Sequence, residues 1–443
     1  MKRFLKYAAI IATVLMVSSS GWAFAANHIA MSPNNKGDAM IFPWFLALDG
    51  GWMTDFTVIN TDQTNSVVAK VAIKSPKNSS ELLDFLIYLS PADVWTGTLW
   101  YNGSTVNIYS TDDSIVTDTT PTFASATNPV NEPMGTKKCA DDPSGYGYVE
   151  VIMAAIGPVP NAAGIAAPGV KKSDIYGQYA IYGTSAATAL AAKSPSQYYL
   201  TTPDKATYNT NVLAGYMEFE NPLYGLSTTL SATTFINYKN TAALGVGAAT
   251  IFGYSSSSSL AEIEAALAKS DVAMPYVSDR DTAYHMFTYV TKRTDYSVCD
   301  AVTTIRSDIP QSPYFTQNTL KTTCVPITSK TFDLTEQSKA TPFSGKGSSV
   351  SFCSEVNVLT PVTYPEGWAY YHFDDTTTTY DLTGLGTYDS TGLGYNGSPV
   401  IASYFYLGAN GLTSAYGAWT DSAVTGDTVL LPNYHYTKMG PTS

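Results

Sequence analysis

The chain has 443 residues, a formal net charge of −12 and only 14% charged residues. An acidic chain without a basic stripe lacks the clustered Lys and Arg side chains that phosphate contacts require, so we expect no nucleic-acid partner. Beyond the N-terminal segment, no apolar run reaches the roughly 18 residues of a membrane-spanning helix, so we also expect no transmembrane span.

The first residues have the pattern of a secretory signal peptide. Lys2, Arg3 and Lys6 precede a long uncharged stretch that ends in the sequence Ala-Phe-Ala. A positive region, an apolar region and an A-x-A cleavage site are the three parts of such a signal. We therefore predict cleavage after Ala25 and removal of residues 1–25. The protein is then exported to the cell surface or the extracellular space, with the periplasm as the alternative.

Alternating apolar residues predict an antiparallel sheet near the N-terminus. Residues 67–74 place Val, Ala, Val and Ile on one face, with Lys70 and Lys74 on the other, and residues 83–89 alternate in a similar way. This period of two is typical of half-buried strands. A further strand is predicted over residues 53–60.

The order of these elements predicts the domain organisation. The strands define an N-terminal β module over residues 37–110, preceded by a mobile tail at residues 26–36. A long polar loop follows up to about residue 143, and residues 145–443 form a larger β-rich module. The predicted fold class is mainly β, with antiparallel β-sandwich modules, long loops and one or two short helices.

The larger module contains further strand signals and one clear helix signal. A Gly-Tyr-apolar-Glu-apolar string occurs at residues 147–151 and again at 215–219, which favours two strands that pair with each other. A capping box, Ser-Leu-Ala-Glu, begins at Ser259 and precedes apolar residues on one helical face, so we predict a helix over residues 259–270. Residues 305–345 are polar and predict a loop.

Four cysteines follow the signal segment, and export favours their oxidation to disulfide bonds. They are Cys139, Cys299, Cys324 and Cys353. Three connectivities are open. We favour the shortest loop, Cys299–Cys324, which leaves Cys139 to pair with Cys353. A zinc site is disfavoured because no CxxC motif or nearby His accompanies these residues.

His372 and the acidic residues after it are the candidate metal ligands. On a strand, the sequence His372-Phe373-Asp374-Asp375 would direct His372 and Asp374 to one face, as two ligands require. We favour the alternative of a polar strand end in solvent. Acidic loops would suit calcium, which takes oxygen ligands, but no EF-hand or nonapeptide spacing occurs. We therefore expect no cofactor and name calcium as the metal that the composition suits best.

Tyrosine is the most frequent aromatic residue, with 32 Tyr against 17 Phe. Clustered tyrosines are candidate interaction residues because each combines contact area with a hydrogen-bonding tip. These are Tyr198, Tyr199, Tyr370, Tyr371, Tyr404 and Tyr406. The alternative, which we favour, is that tyrosine is frequent because it suits strands.

Motifs for catalysis do not occur in the sequence. It contains no G-x-S-x-G, no S-x-x-K beside a second serine motif and no H-E-x-x-H. We therefore assign no catalytic residue.

Several strings, in order along the chain, resemble those of one family. They are Gly-Asp-Ala-x-Ile-Phe-Pro at 37–43, Leu-Ser-Pro-x-Asp-Val-Trp at 89–95, Gly-Tyr-Val-Glu-Val-Ile at 147–152 and Glu-Val-Asn-Val-Leu at 355–359. The set resembles a family of uncharacterised exported or surface β-rich proteins of Gram-negative bacteria. The resemblance implies export and a β-rich fold, and it implies no catalytic residues. The chain departs from the pattern after Phe373.

These observations predict an exported, non-enzymatic structural or surface-interaction protein, such as a cell-surface, matrix or filament component. Its expected partner is a second copy of the chain or an extracellular glycan or protein. A free tail at residues 26–36 could add as a strand to a neighbouring copy. The alternative from another class is an extracellular hydrolase or a glycan-binding protein that acts on polysaccharide.

Overall fold

A computed structural model describes the chain in segments between residues 29 and 430. These are residues 29–76, 79, 81–116, 125, 129–133, 145–157, 170–179, 210–223, 225–238, 257–269, 271–277, 281–292, 324–335, 338–339, 349–360, 366–373, 379–380, 395–396, 398–408, 413–417, 419–424 and 427–430. The predicted signal segment lies outside them. In these segments the fold is mainly β, with antiparallel sheets and two short helices, which confirms the predicted fold class.

The strands are short and numerous. They are β1 (Ala30–Met31), β2 (Ala39–Leu46), β3 (Met53–Asn60), β4 (Ser66–Lys74), β5 (Glu81–Leu89), β6 (Val94–Tyr101), β7 (Val106–Ser110), β8 (Ile115–Val116), β9 (Val130–Pro133), β10 (Tyr146–Gly157), β11 (Leu213–Asn221), β12 (Leu226–Ser231), β13 (Thr233–Ile236), β14 (Ala268–Lys269), β15 (Asp271–Val277), β16 (Asp281–Thr288), β17 (Val325–Asp333), β18 (Ser338–Lys339), β19 (Ser349–Phe352), β20 (Val356–Leu359), β21 (Glu366–Phe373), β22 (Thr379–Tyr380), β23 (Tyr395–Asn396), β24 (Ser398–Pro399), β25 (Ile401–Gly408), β26 (Thr413–Gly417), β27 (Trp419–Val424) and β28 (Asp427–Leu430). The helices are α1 (Lys172–Tyr179) and α2 (Ser257–Leu267). Neither helix is long and apolar enough to cross a membrane.

The first sandwich packs a seven-stranded sheet on a six-stranded sheet. The strand orders are β1-β13-β2-β10-β4-β5-β8 and β12-β11-β3-β6-β7-β9. Aromatic rings join the inner faces: Trp44 on β2 stacks on Phe219 on β11 with centroids 3.9 Å apart, and Phe42 meets Phe56 edge-on at 5.2 Å. Such contacts between facing sheets are the core of a sandwich.

This sandwich extends beyond the predicted module boundary at residue 110. β10 lies between β2 and β4 in the middle of the seven-stranded sheet, and β11 pairs with β3 in the other sheet. The similar strings at 147–151 and 215–219 therefore belong to different sheets, and the prediction that they pair was wrong. Both strings meet the same local requirement for a strand, which does not specify a partner.

The second sandwich packs a nine-stranded sheet on a four-stranded sheet. The strand orders are β18-β17-β21-β15-β27-β23-β22, with β19 beside β17 and β28 beside β27, and β20-β16-β25-β26. Phe287 on β16 contacts Tyr371 on β21 edge-on with ring centroids 4.9 Å apart. β17 falls within residues 305–345, where we predicted a loop. Its inward positions alternate Val, Ile, Ser and Thr, and the hydroxyl residues hide the apolar period.

An aromatic junction connects the two sandwiches. Phe405 on β25 meets Trp44 and Trp52 edge-on, with ring centroids 5.5 Å apart in both cases. The Trp44 indole N–H donates to the Ser403 hydroxyl at 2.8 Å. The four-stranded sheet is therefore covered by the nine-stranded sheet on one face and contacts the first sandwich with the other.

Residues 29–31, the first that the structure describes, pack against the rest of the protein. Ile29 is buried, its N–H donates to the Glu262 carboxylate at 2.6 Å, and β1 pairs with β13. Residues 29–31, which the sequence placed in a mobile tail, are thus held by a strand pair and a helix. α2 begins at Ser257, two residues before the predicted cap at Ser259. Glu262, the predicted capping-box partner, accepts the N–H of Ile29.

β4 is buried on both faces, whereas the sequence predicted a half-buried strand. Lys70 is completely buried, and its Nζ lies 2.5 Å from the Asp84 carboxylate. The Nζ of Lys74, also buried, lies 3.9 Å from the Glu150 carboxylate. The polar face of β4 is therefore an interior face whose charges are paired.

One disulfide bond is described, and it differs from the favoured pairing. Cys324 bonds Cys353, with Cα atoms 4.1 Å apart. The bond forms because Val325 at the start of β17 pairs with Phe352 at the end of β19, which places the flanking cysteines side by side. This corrects our preference for Cys299–Cys324 and Cys139–Cys353. Cys139 and Cys299 lie outside the described residues.

Candidate functional site

The outer face of the six-stranded sheet carries carboxylates and exposed apolar or aromatic side chains, and we call it the acidic face. It is formed by Asp55, Val94, Tyr109, Tyr216, Glu218 and Glu220. These residues alternate along β3, β6, β7 and β11 with buried residues such as Phe56 and Met217, which point into the sandwich.

The carboxylates of the acidic face lie close together because of the strand register. Asp55 on β3 is directly opposite Glu218 on β11, and Glu220 lies two residues further along the same strand. Like charges directly opposite one another destabilise a sheet. The six strands of this sheet contain no Lys, Arg or His, so no cation within the sheet compensates the three negative charges.

Hydroxyl groups donate hydrogen bonds to two of these three carboxylates. Thr98 on β6 donates to Asp55 at 2.5 Å, and Ser227 on β12 donates to Glu218. Burial raises the pKa of Asp55, the hydrogen bond from Thr98 offsets part of the shift, and the charge of Glu218 adds to it. Burial also raises the pKa of Glu220, with further contributions from the charges of Asp55 and Glu218. Carboxylates with raised pKa values are a recognised mark of a functional site.

Tyrosine side chains flank the carboxylates. Tyr216 is 41% exposed and lies two residues before Glu218, while Tyr109 is 38% exposed and pairs with Thr98, the neighbour of Asp55. A cation between them could meet carboxylate oxygens and ring faces together. The acidic face is thus suited chemically to bind positive charge.

The candidate metal ligand His372 lies elsewhere, on the outer face of the nine-stranded sheet. Its Nδ1 donates to Asp271 Oδ1 at 2.8 Å, and the same oxygen accepts the Tyr370 hydroxyl. The predicted partners Asp374 and Asp375 lie outside the described residues. Among the residues that are described, no group of three or more His, Cys, Asp or Glu side chains could hold a metal ion.

Two of the candidate interaction tyrosines lie in the core. Tyr371 is fully buried and Tyr404 is 8% exposed, so neither can contribute to an exposed face. Tyr370 is half-buried beside Asp271. Tyr406 is on β25, but its side chain is not among those that the structure describes. Tyr198 and Tyr199 lie outside the described residues.

Tyr371 forms a buried pair with His285. His285 Nδ1 is 2.5 Å from the Tyr371 hydroxyl, and Nε2 is 3.0 Å from the Pro275 carbonyl. Because a carbonyl only accepts, Nε2 carries the hydrogen and Nδ1 accepts from Tyr371. Burial lowers the pKa of His285 to about 3 and raises the pKa of Tyr371. Both ring nitrogens of His285 are therefore hydrogen-bonded within the core.

The Leu-Ser-Pro-x-Asp-Val-Trp string forms the turn between β5 and β6. Asp93 accepts the N–H of Ser90 at 2.9 Å, and Trp95 is buried in the first sandwich. Lys172, at the start of α1, pairs with Asp93. This string of the family resemblance therefore has a structural role in this chain.

The acidic face was not singled out by the sequence patterns. The available signal was the spacing of two residues between Tyr216, Glu218 and Glu220 on a predicted strand, which places them on one face. Asp55 and Tyr109 come from other strands, and the sequence does not reveal their lateral order.

Comparison of the chain with protein families, curated proteins and solved structures finds no match. The family resemblance of its sequence strings stays a prediction.

Proposed function

We propose that the protein is an exported, non-enzymatic surface-interaction protein and that the acidic face is its contact surface. The observation that carries this proposal is the cross-strand pair of Asp55 and Glu218 in a sheet without a basic residue. Replacing either residue with a neutral one would relieve the repulsion. Local departures of this kind from the most stable sequence are expected at functional sites.

The partner that this face fits is a polypeptide segment rich in Lys and Arg. Its cations would neutralise the three carboxylates, and its apolar stems would cover the exposed rings of Tyr109 and Tyr216. A second copy of this chain is a poorer partner, because its net charge of −12 is of the same sign. The carboxylates act here as ligands for cations, with no role in catalysis.

Calorimetric titration of the mature protein with a Lys-rich peptide tests this proposal. We expect binding that weakens as the ionic strength rises, because exposed charges are screened by salt. In the double variant Asp55→Asn/Glu218→Gln, the affinity should fall at least about tenfold, the equivalent of about 1.4 kcal/mol. The matched control is Asp333→Asn/Glu366→Gln, which removes two charges from the second sandwich. Equal affinity of both double variants would refute the proposal.

Glycan binding is a second candidate function, supported by the outer face of the nine-stranded sheet. Phe332 and Trp368 are stacked with ring centroids 4.1 Å apart, and Tyr370, Asp271 and His372 supply hydrogen-bonding groups on the same face. Aromatic rings cover the apolar faces of sugars, while such polar groups bind hydroxyls.

Affinity electrophoresis in gels that contain soluble polysaccharide tests this second function. Retardation of the wild type that is lost in Trp368→Ala would support it. The control is Leu334→Ala, which removes a 69% exposed side chain just beyond β17 and should leave retardation unchanged. If all three proteins migrate as they do without polysaccharide, this face does not bind the glycans tested.

A further inference from the structure

Asp38 is a completely buried carboxyl group at a point where the two sheets of the first sandwich meet. It precedes β2 of the seven-stranded sheet and contacts Thr210 and Asn211, which lead into β11 of the six-stranded sheet. Its Oδ1 accepts the Thr210 hydroxyl at 2.7 Å and the Asn211 N–H at 2.8 Å. The Asp38 side chain thus connects the start of β2 in the seven-stranded sheet to the residues that lead into β11 in the six-stranded sheet.

The second carboxyl oxygen of Asp38 is not hydrogen-bonded to the described part of the chain. This oxygen, Oδ2, is also shielded from solvent. The backbone on either side is fixed, because Gly37 and Leu213 exchange two hydrogen bonds and the Asp38 N–H donates to the Phe235 carbonyl. The side chain therefore cannot reach water without movement of the chain around it. A buried, ionised carboxylate with an unpaired oxygen is unfavourable.

Within the described segments, no neighbouring charge compensates Asp38. β2 and β13 contain no ionisable residue. The ionisable residues of β10 and β11 are Tyr146, Tyr148, Glu150, Tyr216, Glu218 and Glu220. None of these shifts the pKa of Asp38: burial raises it to about 7, and the hydrogen bonds from Thr210 and Asn211 offset part of the effect. Lys36, the nearest cation along the chain, is exposed.

We propose that Asp38 is a pH-sensitive latch, whose neutral carboxyl holds the start of β11 against the start of β2 and whose ionisation weakens that attachment. When protonated, the buried group has no charge to desolvate. When ionised, it regains water only if residues 210–213 move away. The latch is therefore tightest at acidic pH.

The direction of the pH dependence follows from proton linkage. The folded pKa of Asp38, about 7, lies above the ordinary aspartate value of 3.8, so the contribution of Asp38 to stability is complete below about pH 4. It is lost as the pH rises to about 7 and is constant above that. Within this window, the equilibrium constant for local opening should rise up to about tenfold per pH unit.

Hydrogen exchange of the Asn211 and Leu213 amides measures the latch directly, because these amides donate to Asp38 and Gly37. After correction for intrinsic exchange, we expect their protection to fall by about two to three orders of magnitude from about pH 4 to about pH 7. Amides of β21 in the second sandwich should not follow this change. In Asp38→Asn, whose amide oxygen can accept the same two hydrogen bonds, the pH dependence should vanish.

The control variant is Asp62→Asn. Asp62 accepts hydrogen bonds from the Asn65 side chain and from the backbone N–H groups of Thr64 and Asn65 in the turn after β3. These bonds lower the pKa of Asp62 despite partial burial, so its loss should leave the pH dependence at residues 211–213 intact. If Asp38→Asn does not fold, carboxyl-carbon NMR of the wild type still tests the proposal, because it measures the pKa of Asp38 directly. A midpoint near 7 that rises in Thr210→Val supports the latch. Titration of Asp38 near 4, or an undiminished pH dependence in Asp38→Asn, overturns it.

Discussion

Asp55 and Glu218 are directly opposite residues on β3 and β11, so that two carboxylates share one cross-strand pair. Opposite charges or polar side chains would stabilise the sheet at this position by about 0.2–1 kcal/mol relative to small neutral residues, whereas like charges destabilise it. The core beneath remains well packed, with Phe56 and Met217 buried. The unfavourable pair is therefore confined to the surface that we assign to partner binding.

Asp55→Asn should stabilise the free protein at neutral pH. Removal of the like charge should raise the free energy of unfolding by about 0.5 kcal/mol at about pH 7, and the Asn oxygen can still accept from Thr98. Because the pKa of Asp55 is raised, ionisation opposes folding, and the gain should disappear at acidic pH, where the native carboxyl is protonated. Urea unfolding at both pH values measures this. A less stable variant at neutral pH would contradict the like-charge interpretation.

Lys70→Met should strongly destabilise the first sandwich. Lys70 is fully buried against Asp84, whose side chain is only 12% exposed, and the substitution leaves that carboxylate without its cation. Loss of one partner of a buried ion pair costs about 3–5 kcal/mol. The double variant Lys70→Met/Asp84→Leu should recover most of this loss. Denaturant unfolding of the complete double-mutant cycle gives the coupling energy, and a loss below about 1 kcal/mol in the single variant would refute the buried pair.

The disulfide bond between Cys324 and Cys353 should stabilise the edge of the second sandwich. It closes a loop with a sequence separation of 29 residues, and the chain-entropy relation gives about 3–4 kcal/mol for a loop of this size. Cys324→Ser/Cys353→Ser should lower the stability of the second sandwich by that amount. Peptide mapping of the unreduced protein provides the covalent check: a Cys299–Cys324 peptide would show that the Cys324–Cys353 pairing is wrong.

His285 should remain neutral throughout the physiological pH range. Its folded pKa of about 3 lies below the ordinary histidine value of 6.5, so its contribution to stability is complete above about pH 6.5 and is lost as the pH falls towards 3. NMR should show no titration of the His285 ring between about pH 5 and pH 8. Tyr371→Phe leaves Nδ1 buried without a donor and should cost about 1–3 kcal/mol. A His285 ring that titrates near the ordinary histidine value would contradict its complete burial.

Local patterns predicted several of the strands, because the alternation of apolar and polar residues that marks a strand is contained within the strand itself. The predicted strand over residues 53–60 matches β3, and the alternation at 83–89 lies within β5. β17 was missed because Ser329 and Thr331 occupy inward positions where an apolar residue is expected. Which hydroxyl residues a strand buries depends on its tertiary neighbours, and the sequence of a single strand does not reveal them.

The sequence does not reveal the lateral order of the strands in each sheet, and the candidate site depends on that order. Lys70 has the pattern of a solvent-facing residue, and only the pairing of β4 with β5 brings Asp84 beside it. Asp55 likewise gains significance only from its position opposite Glu218. Asp55 and Glu218 are 163 residues apart in the sequence, and loop closure over such a length leaves no local signal. The site was therefore missed even though the strands that carry Asp55 and Glu218 were predicted.

The most direct test of the binding role of the acidic face is to measure the pKa values of Asp55 and Glu220. Carboxyl-carbon NMR can measure them in the free mature protein and with a saturating Lys-rich peptide. We predict that both pKa values are raised in the free protein, as burial and like-charge repulsion require, and that both fall when the peptide binds, because ammonium groups favour the ionised carboxylates. Values that stay the same at saturating peptide would contradict a contact between this face and a basic partner.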